Sequence, residues 1–548
     1  MSKAKNKRSK PPKVQRFTEE QTGDLLNSLK NNGSKKHFIV AKGLIDGNLW
    51  LCAELERGTL TIAKLRKLFQ IQGTEKNLRH TGPSTAKNSK KNTEKAKGHG
   101  RNSSEAYAGA RIEEVPHPTL TPGGLCPAVA CGGRLYEMTE PGFVVRVTGS
   151  PLAMATRYEL QKLRCAICET IYTAPLPEGV SDQKYDAGFV SMLMINKYFM
   201  AMPLYRQDKL QAYLGMPLPD STQWDLMFAH QDMLKALYQA FLQDAANGLA
   251  ICYDDTSVKI LEEIQAKKAA EKGQKNKHNT FTTGLVSIHE DHHTYLYMTD
   301  NKVAGQFIGE ILGLRDPDLD LPIVMCDALA ANIPQDIAEG LYILCYCLVH
   351  ARRQFYELPD GYDDLADEVI GSIGKIYLYE DYAKSLEAPA RLSYHQKHSQ
   401  PVMAKLKTYL ESQEKEFEPN GVAGKAIAYV LKRWTNLSGF LEYAHAPLDT
   451  NIVERALKLV IQTRKSSMFY KSLNSAAFAS YVQSALYSAA QNDENPYDYM
   501  KALIEHKNQV IKAPNDWFPW NYKETLKAQK KAADAKKTSS VPGIPGSG

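Results

Sequence analysis

Carboxylates placed in apolar strands are the first residues here whose types and spacing suggest chemistry. Asp327 stands near the end of an apolar run, IVMCDALAAN, and Asp254 and Asp255 lie side by side in AICYDDTSV. A carboxylate in a strand bound for the core is costly to bury and needs a compensating partner. Carboxylates that converge repel one another and take up protons unless a divalent cation neutralises them. Two Mg²⁺ ions held in this way suit in-line attack on a phosphodiester, one activating the nucleophile and the other stabilising the leaving oxygen. The competing reading makes these aspartates strand-end caps or partners of Lys and Arg, and any one of them alone fits it. Because strand side chains alternate, only one of Asp254 and Asp255 can face such a centre.

Cysteines form the second set. Nine is an odd number, which argues against a disulfide framework. Four fall in two pairs, Cys126-x4-Cys131 and, after a gap of 33 residues, Cys165-x2-Cys168. Four thiolates close a tetrahedral shell around Zn²⁺, and the Gly132-Gly133 pair supplies the tight turn such a knuckle needs. A structural zinc would replace the core a small module lacks; the alternative is four unconnected thiols. Cys52, Cys252 and Cys326 read as core or incidental. Cys345, Cys347 and His350 make a further possible ligand cluster, but their apolar surroundings favour core packing.

These residues need elements to hold them. At 548 residues the chain has room for roughly three or four domains. Its 43% hydrophobic content excludes wholesale disorder, and no apolar run or leader-like segment suggests membrane spanning or secretion. The net charge of +7 is unevenly spread: residues 1–100 carry +14, residues 501–548 carry +5, and the body between them carries −12. Basic ends on an acidic body suggest contact with a polyanion such as nucleic acid, the alternative being solvated tails that aid solubility.

Residues 1–100 read as a basic arm around a short helical unit, LWLCAELERGTLTIAKLRKLF. Residues 101–178, with Pro, Gly, Cys and short β-like runs (FVVRVTG, TIYTAPL), read as the zinc-binding module. Residues 179–248 are α-rich: one helix closes at Gly215 and a second opens with Asp220 or Ser221 as cap. That is either a helix-turn-helix or a plain helical hairpin. From 249 to 355 come three successive strands, a basic insertion after the first, then a helix (VAGQFIGEILGL), a buried strand, a short helix (IPQDIAEG) and another buried strand. This order describes a mixed α/β sheet. Residues 356–448 are helical, 449–522 open with the helix DTNIVERALKLVIQ, and 523–548 read as a basic flexible tail.

Taken in order, these segments resemble transposases of the insertion-sequence 66 family from about Gly98 to Leu503. CPAVACGGRLYE with YELQKLRCAIC resembles its four-cysteine zinc module, and NKYFMAMPLYRQDKLQAYLGMPLPDSTQWD its helical DNA-binding segment. YDDTSVKIL, MCDALAAN and CLVHARRQF resemble the two acid motifs and the block that follows them. DTNIVERALKLVIQTRKSSMF resembles the segment bearing the final glutamate, and NPYDYMKAL the closing helix. The sequence departs from the family pattern at Asp255 (usually Glu), Thr450 (usually Asn), Lys458-Leu459 (usually Arg-Pro) and Leu348 and Ser467 (each near a usual Trp). The first cysteine pair is also spaced by four residues where two are usual.

The resemblance implies a ribonuclease-H-like catalytic domain with an Asp-Asp-Glu triad, an all-helical insertion before the last acid, and the zinc module and helical DNA-binding segment ahead of it. It assigns the triad to Asp254, Asp327 and Glu454, holding two Mg²⁺ (or Mn²⁺) ions, and structural Zn²⁺ to Cys126, Cys131, Cys165 and Cys168. Arg455, Lys458, Arg464, Lys465, His350, Arg352 and Arg353 become candidates for phosphate contacts, with surface ion pairs as the alternative for the last five. The implied partners are double-stranded DNA of transposon ends and target, further copies of the chain in a dimer or larger assembly, and accessory proteins encoded by the element. The implied setting is the prokaryotic cytoplasm, at the nucleoid. Rival readings are a metal-dependent nuclease on the same fold and a domesticated, non-enzymatic DNA-binding protein.

Overall fold

The computed structural model describes residues 114–128, 131–138, 153–164, 166–168, 170–181, 183–269, 280–338 and 340–539. The expected helical unit in the basic arm, the FVVRVTG run, Cys165 and most of the basic insertion after the first core strand lie outside the described residues. The chain divides into two units at Phe143. In the first, the described residues form a tight loop. Leu125 and Arg134 make an isolated antiparallel bridge, and the Cys126 N–H donates to the Gly133 carbonyl at 2.8 Å.

The second unit begins with a short antiparallel hairpin, β1 (Lys162–Arg164) and β2 (Ile171–Thr173). Four helices follow: α1 (Ala187–Met194), α2 (Leu204–Tyr213), α3 (Asp220–Phe228) and α4 (Gln231–Ala246). The α2–α3 turn falls where Gly215 and the prolines place it, but α3 has Pro219 at its cap position and no side-chain cap. The buried Gln223 side chain ties the helix to the turn before it by donating to the Leu218 carbonyl at 2.9 Å.

The core is a five-stranded mixed sheet of β3 (Ala250–Ser257), β4 (Phe281–Ile288), β5 (His293–Asp300), β6 (Ile323–Cys326) and β7 (Ile343–Tyr346), in spatial order β5-β4-β3-β6-β7. β3, β4 and β5 are antiparallel, whereas β6 and β7 run parallel to β3. Helix α5 (Leu261–Ala269) leaves the end of β3, and α6 (Ala304–Leu312) makes the crossover from β5 toward β6. The IPQDIAEG segment is not helical in its described residues, contrary to the sequence expectation. Its backbone lies against α6 instead: the Gln335 N–H donates to the Gly305 carbonyl at 2.9 Å, and a Cβ on Gly309 would collide with the Gln335 carbonyl oxygen.

Helix α7 (Leu348–Tyr356) follows β7 at once, so the strand expected over YILCYCLV ends early. Helices α8 (Asp363–Ala383), α9 (Ala388–His398), α10 (Gln400–Gln413), α11 (Val422–Leu431) and the single turn α12 (Trp434–Leu437) then occupy the stretch expected to be helical. The chain returns to the sheet as α13 (Asn451–Ser467) and α14 (Leu473–Gln491), then ends in α15 (Pro496–Glu505), α16 (Lys507–Lys512) and α17 (Tyr522–Ser539). Residues 523–539, expected as a flexible tail, are thus helical; their Ala and Lys content favours a helix even with few apolar side chains. No helix among the described residues is long and apolar enough to cross a membrane.

One edge of the sheet is closed by a polar ladder. Ser480, Ser484, Ser488 and Asn492 recur every fourth residue and so share one face of α14. Ser484 and Ser488 accept from the N–H groups of Tyr297 and Tyr295, each at 3.0 Å, and the Asn492 side chain exchanges two bonds with the His293 backbone. Unpaired edge-strand groups that would otherwise template another strand are satisfied by this helix.

Candidate active site

Register brings the expected acids together. Cys252 on β3 pairs with Met325 on β6, and Asp254 and Asp327 each lie two residues further on, Asp254 within β3 and Asp327 just past the end of β6. Opposite Asp254 on β4 stands Gly284. A Cβ there would lie 2.8 Å from Leu457 Cδ2 and 2.9 Å from Cγ, so the missing side chain is what lets α13 settle on the sheet. Glu454 sits in the first turn of that helix. Tyr377 from α8 and the N–H and side chain of Asn451 all donate to the Asp449 carboxylate, at 2.7, 2.8 and 2.6 Å, which fixes where α13 begins.

Strand alternation separates the two adjacent aspartates. Asp255 is spent on structure: its carboxylate accepts from the Thr283 hydroxyl at 2.6 Å and the Ala304 N–H at 3.2 Å. Burial nonetheless raises its pKa against those bonds. Among the described residues Asp254 accepts only from the Asp255 N–H, at 2.8 Å. Burial, together with the charges of Asp327, Glu454 and Asp255, pushes the Asp254 carboxyl up to about 7. Asp327 accepts from the Leu329 N–H at 3.2 Å and from the Asn332 amide at 2.6 Å. Asn332 is buried, and its own carbonyl accepts from the Tyr253 hydroxyl. Asp254 therefore senses Asp327 and Glu454 electrostatically.

This has a consequence for pH. The Asp254 pKa lies above the value of about 3.9 expected in an unfolded chain, so in between the native protein binds the extra proton. Its stabilising contribution is complete below that lower value and is lost as pH rises through about 7. Mg²⁺, which competes with the proton, is expected to raise the melting temperature more at about pH 8 than at about pH 5. Thermal melts with and without Mg²⁺ across that range check this, and a Mg²⁺ effect that shrinks as pH rises would contradict it.

The cationic candidates are placed less uniformly. Arg455, Lys458 and Lys465 are exposed on α13. The Arg464 guanidinium instead bonds Thr256 Oγ1 at 3.2 Å and the Ser257 carbonyl, holding α13 to the end of β3. His350, Arg352 and Arg353 are half-buried on α7, and His350 Nδ1 is enclosed without a hydrogen-bond partner. Cys345 and Cys347 are core residues. A Cβ on Gly439 would run into Cys345 Sγ, while Cys347 Sγ accepts from the Thr450 N–H at 3.5 Å.

In the first unit, Gly132 adopts φ +62° in the turn after Cys131, and the Gly133 N–H and the neighbouring Cys126 lower the Cys131 thiol pKa. Cys168 lies in the loop joining β1 and β2, and Cys165 is outside the described residues.

Sequence reasoning missed Asn332, although it closes the quoted MCDALAAN segment five residues after Asp327. It also missed Tyr429 and Arg433. Tyr429 on α11 accepts from the backbone N–H of Ala328, next to Asp327, and its ring lies 4.3 Å beneath the Arg433 guanidinium. Nothing in the spacing of the helical segment identified which of its helices would reach the sheet.

The chain is similar to known proteins over most of its described length. The profile of the family described as "Transposase IS66 family" matches residues 183–477, a span containing the whole sheet and all three expected acids. Three proteins of Sinorhizobium fredii (strain NBRC 101917 / NGR234) are similar along most of their length. "Uncharacterized protein y4jD" is 25% identical over 72% of this chain and 77% of its own. "Uncharacterized protein y4qI" is 28% identical over 75% and 76%, and "Uncharacterized protein y4hP" 22% identical over 73% and 74%. With more than half its length matched by one profile, the chain belongs to the IS66 family of transposases.

Proposed function

We propose that this protein is a DNA transposase that binds terminal inverted repeats, cleaves the transposon ends and joins the freed 3′-hydroxyl to target DNA. The observation that carries the reading is the register that sets Asp254 and Asp327 on parallel neighbours, with the helix bearing Glu454 packed across Gly284; the raised Asp254 pKa agrees with it. Half-buried carboxylates on neighbouring elements fit divalent cations better than a single structural ion pair. The sheet order, with three antiparallel strands followed by two parallel ones, supports a ribonuclease-H-like catalytic domain.

Asp254, Asp327 and Glu454 would hold two Mg²⁺ or Mn²⁺ ions. When bound, such ions supply Lewis acidity at the scissile phosphate and lower the pKa of the attacking water or hydroxyl. The chain's own contribution is placement. Asn332 orients Asp327, Gly284 admits the helix bearing Glu454, and the Asp449 bonds set where that helix starts. Arg455, Lys458 and Lys465 present positive charge along α13 for the phosphate backbone, and the basic ends of the chain add contacts that weaken as salt rises. His350, Arg352 and Arg353 are read in the same role. Arg464 is already bonded to β3 and acts on DNA through the position of α13.

The assignment of structural zinc to Cys126, Cys131, Cys165 and Cys168 rests on their spacing, with the lowered Cys131 thiol as support. Joining two ends requires at least two copies of the chain.

Labelled repeat-end DNA incubated with the protein, Mg²⁺ and a target plasmid tests the reading. Joined end–target products are expected. Nicks without joining would mark a nuclease, and binding with neither product would mark a non-enzymatic DNA-binding protein.

A further inference from the structure

The backbone turns sharply where α13 ends, and the turn is built in an unfavourable way. Met468 sits at φ +68° and ψ −40°, and the Phe469 N–H donates to the Ser467 carbonyl at 2.8 Å. That bond closes a three-residue γ-turn in its rarer, strained form. A positive φ of this kind suits glycine, yet the position carries methionine. Burial does not explain the choice, because Met468 is 68% exposed and the neighbouring Phe469 45%. Neither backbone ease nor packing within the chain accounts for two large apolar side chains here, whereas a bound partner would.

The turn is held from both flanks. Before it, Ser467 Oγ accepts from Lys197 Nζ at 3.0 Å, and the Arg464 guanidinium bonds Thr256 Oγ1 at 3.2 Å. Lys197 comes from the π-helical turn Ile195–Phe199 after α1, and burial brings its pKa down to about 8. After it, the Tyr470 N–H donates to the Lys259 carbonyl at 2.9 Å and the Leu261 N–H to the Tyr470 carbonyl at 2.8 Å. This parallel bridge carries on from the end of β3, and Tyr470 packs on the core. The tip is therefore firmly set, with its two apolar side chains in solvent.

Its surroundings are basic. Residues 455–475 hold Arg455, Lys458, Arg464, Lys465 and Lys471 and no acid. Lys465 and Lys471 are exposed on either side of the turn, and Lys259 on the strand facing it. Glu262, at the start of α5, is the first acid after Lys259. Apolar side chains flanked by cations match a DNA duplex, whose phosphates meet the cations while a Met or Phe enters between base steps. Two side chains are too small a patch to carry a protein interface alone. The position along the sheet also fits. Ser257 and Lys259 lie three and five residues beyond Asp254, about 10 and 17 Å at the rise of a strand. A duplex rises about 3.4 Å per step, so the tip stands roughly three to five steps from the acids.

We propose that Met468 and Phe469 form a wedge that enters the base stack of bound DNA, about three to five steps from the bond to be cleaved. Lys259, Lys465 and Lys471 hold the phosphates beside it. Opening the stack bends the duplex and lets it follow the basic face of α13. The inference takes DNA as its partner from the transposase reading.

The test uses the full chain, without Mg²⁺ or Mn²⁺, bound to saturation on duplexes that carry a repeat end and its flanking DNA. Each duplex has one 2-aminopurine, placed in turn at successive steps on either side of the cleaved bond, and its fluorescence rises when stacking is lost. A rise of at least about threefold is expected at one or two adjacent steps within the span given above. Its side of the bond tells transposon-end contact from contact with flanking DNA. Met468→Ala/Phe469→Ala is expected to abolish the rise. Should that variant not fold, Met468→Gly/Phe469→Ser, whose residues suit the turn and the solvent, gives the same comparison. Saturated binding with no rise, a rise confined to other steps, or a rise the double variant keeps would overturn the wedge and leave the transposase reading intact. No binding by the unsubstituted chain would overturn both. Self-association lost in the double variant, with no rise in either protein, would assign the pair to a contact between copies instead.

Discussion

Asp254→Asn is expected to slow cleavage of repeat-end DNA by at least about 10³-fold, while Asp255→Ala, one residue away, keeps the rate within about tenfold. The two side chains leave β3 on opposite sides. Asp254 senses Asp327 and Glu454 and accepts a backbone bond, so on the proposed function the amide removes a metal ligand and little else. Asp255 bonds Thr283 and the start of α6. Its removal leaves a buried hydroxyl and an N–H unmet, at a cost of about 1–3 kcal/mol in stability. Single-turnover cleavage and thermal melts of both variants check the pair. A reversed pattern, with Asp255→Ala inactive and Asp254→Asn active, would mean that the register has been misread.

Gly284→Ala is expected to lower the cleavage rate by about 10²-fold with DNA affinity little changed, because displacement of a catalytic group by about 1 Å costs that much. The added methyl meets Leu457 Cδ2 and Cγ at under 3 Å, with Val453 Cγ1 next at 3.5 Å. Leu457 is buried, so the helix must lift, and Glu454 lifts with it. Adding Leu457→Ala opens the space again. The double variant should therefore recover much of the rate even though Leu457→Ala alone destabilises the protein by about 2–5 kcal/mol. Such non-additivity is the signature of two residues in contact. A Gly284→Ala protein with an unchanged rate would show that α13 does not depend on this gap.

Much of this arrangement was legible in the residues. The runs AICYDDTSV, TFTTGLVSI and HTYLYMTD form adjacent strands because their β-branched and aromatic content leaves few other options. Asp327 could be found because a carboxylate in an apolar strand is conspicuous. Glu454 could not be found that way, since a glutamate on a helix face is ordinary, and only family resemblance distinguished it. Gly284 reads as a weak point in a strand until the helix crossing it is known. The serines of α14 look like unremarkable helix polar residues, because their partners are backbone groups of a strand nearly two hundred positions earlier. The segment after Asp327 was expected to be helical from its composition, yet contact with α6 decides its backbone. The contacts of His289 and His292 with Asp244 went unnoticed because Asp244 lies more than forty residues away on another element.

Asp327→Cys offers the most direct test of the claim that these acids hold the metals of DNA cleavage. A thiolate binds Mg²⁺ poorly and Mn²⁺ better. The account predicts that the variant fails to cleave repeat-end DNA in Mg²⁺ and regains activity in Mn²⁺, with the unsubstituted protein active in both. Full activity of the variant in Mg²⁺, or no gain from Mn²⁺ in a variant that still folds and binds DNA, would contradict it.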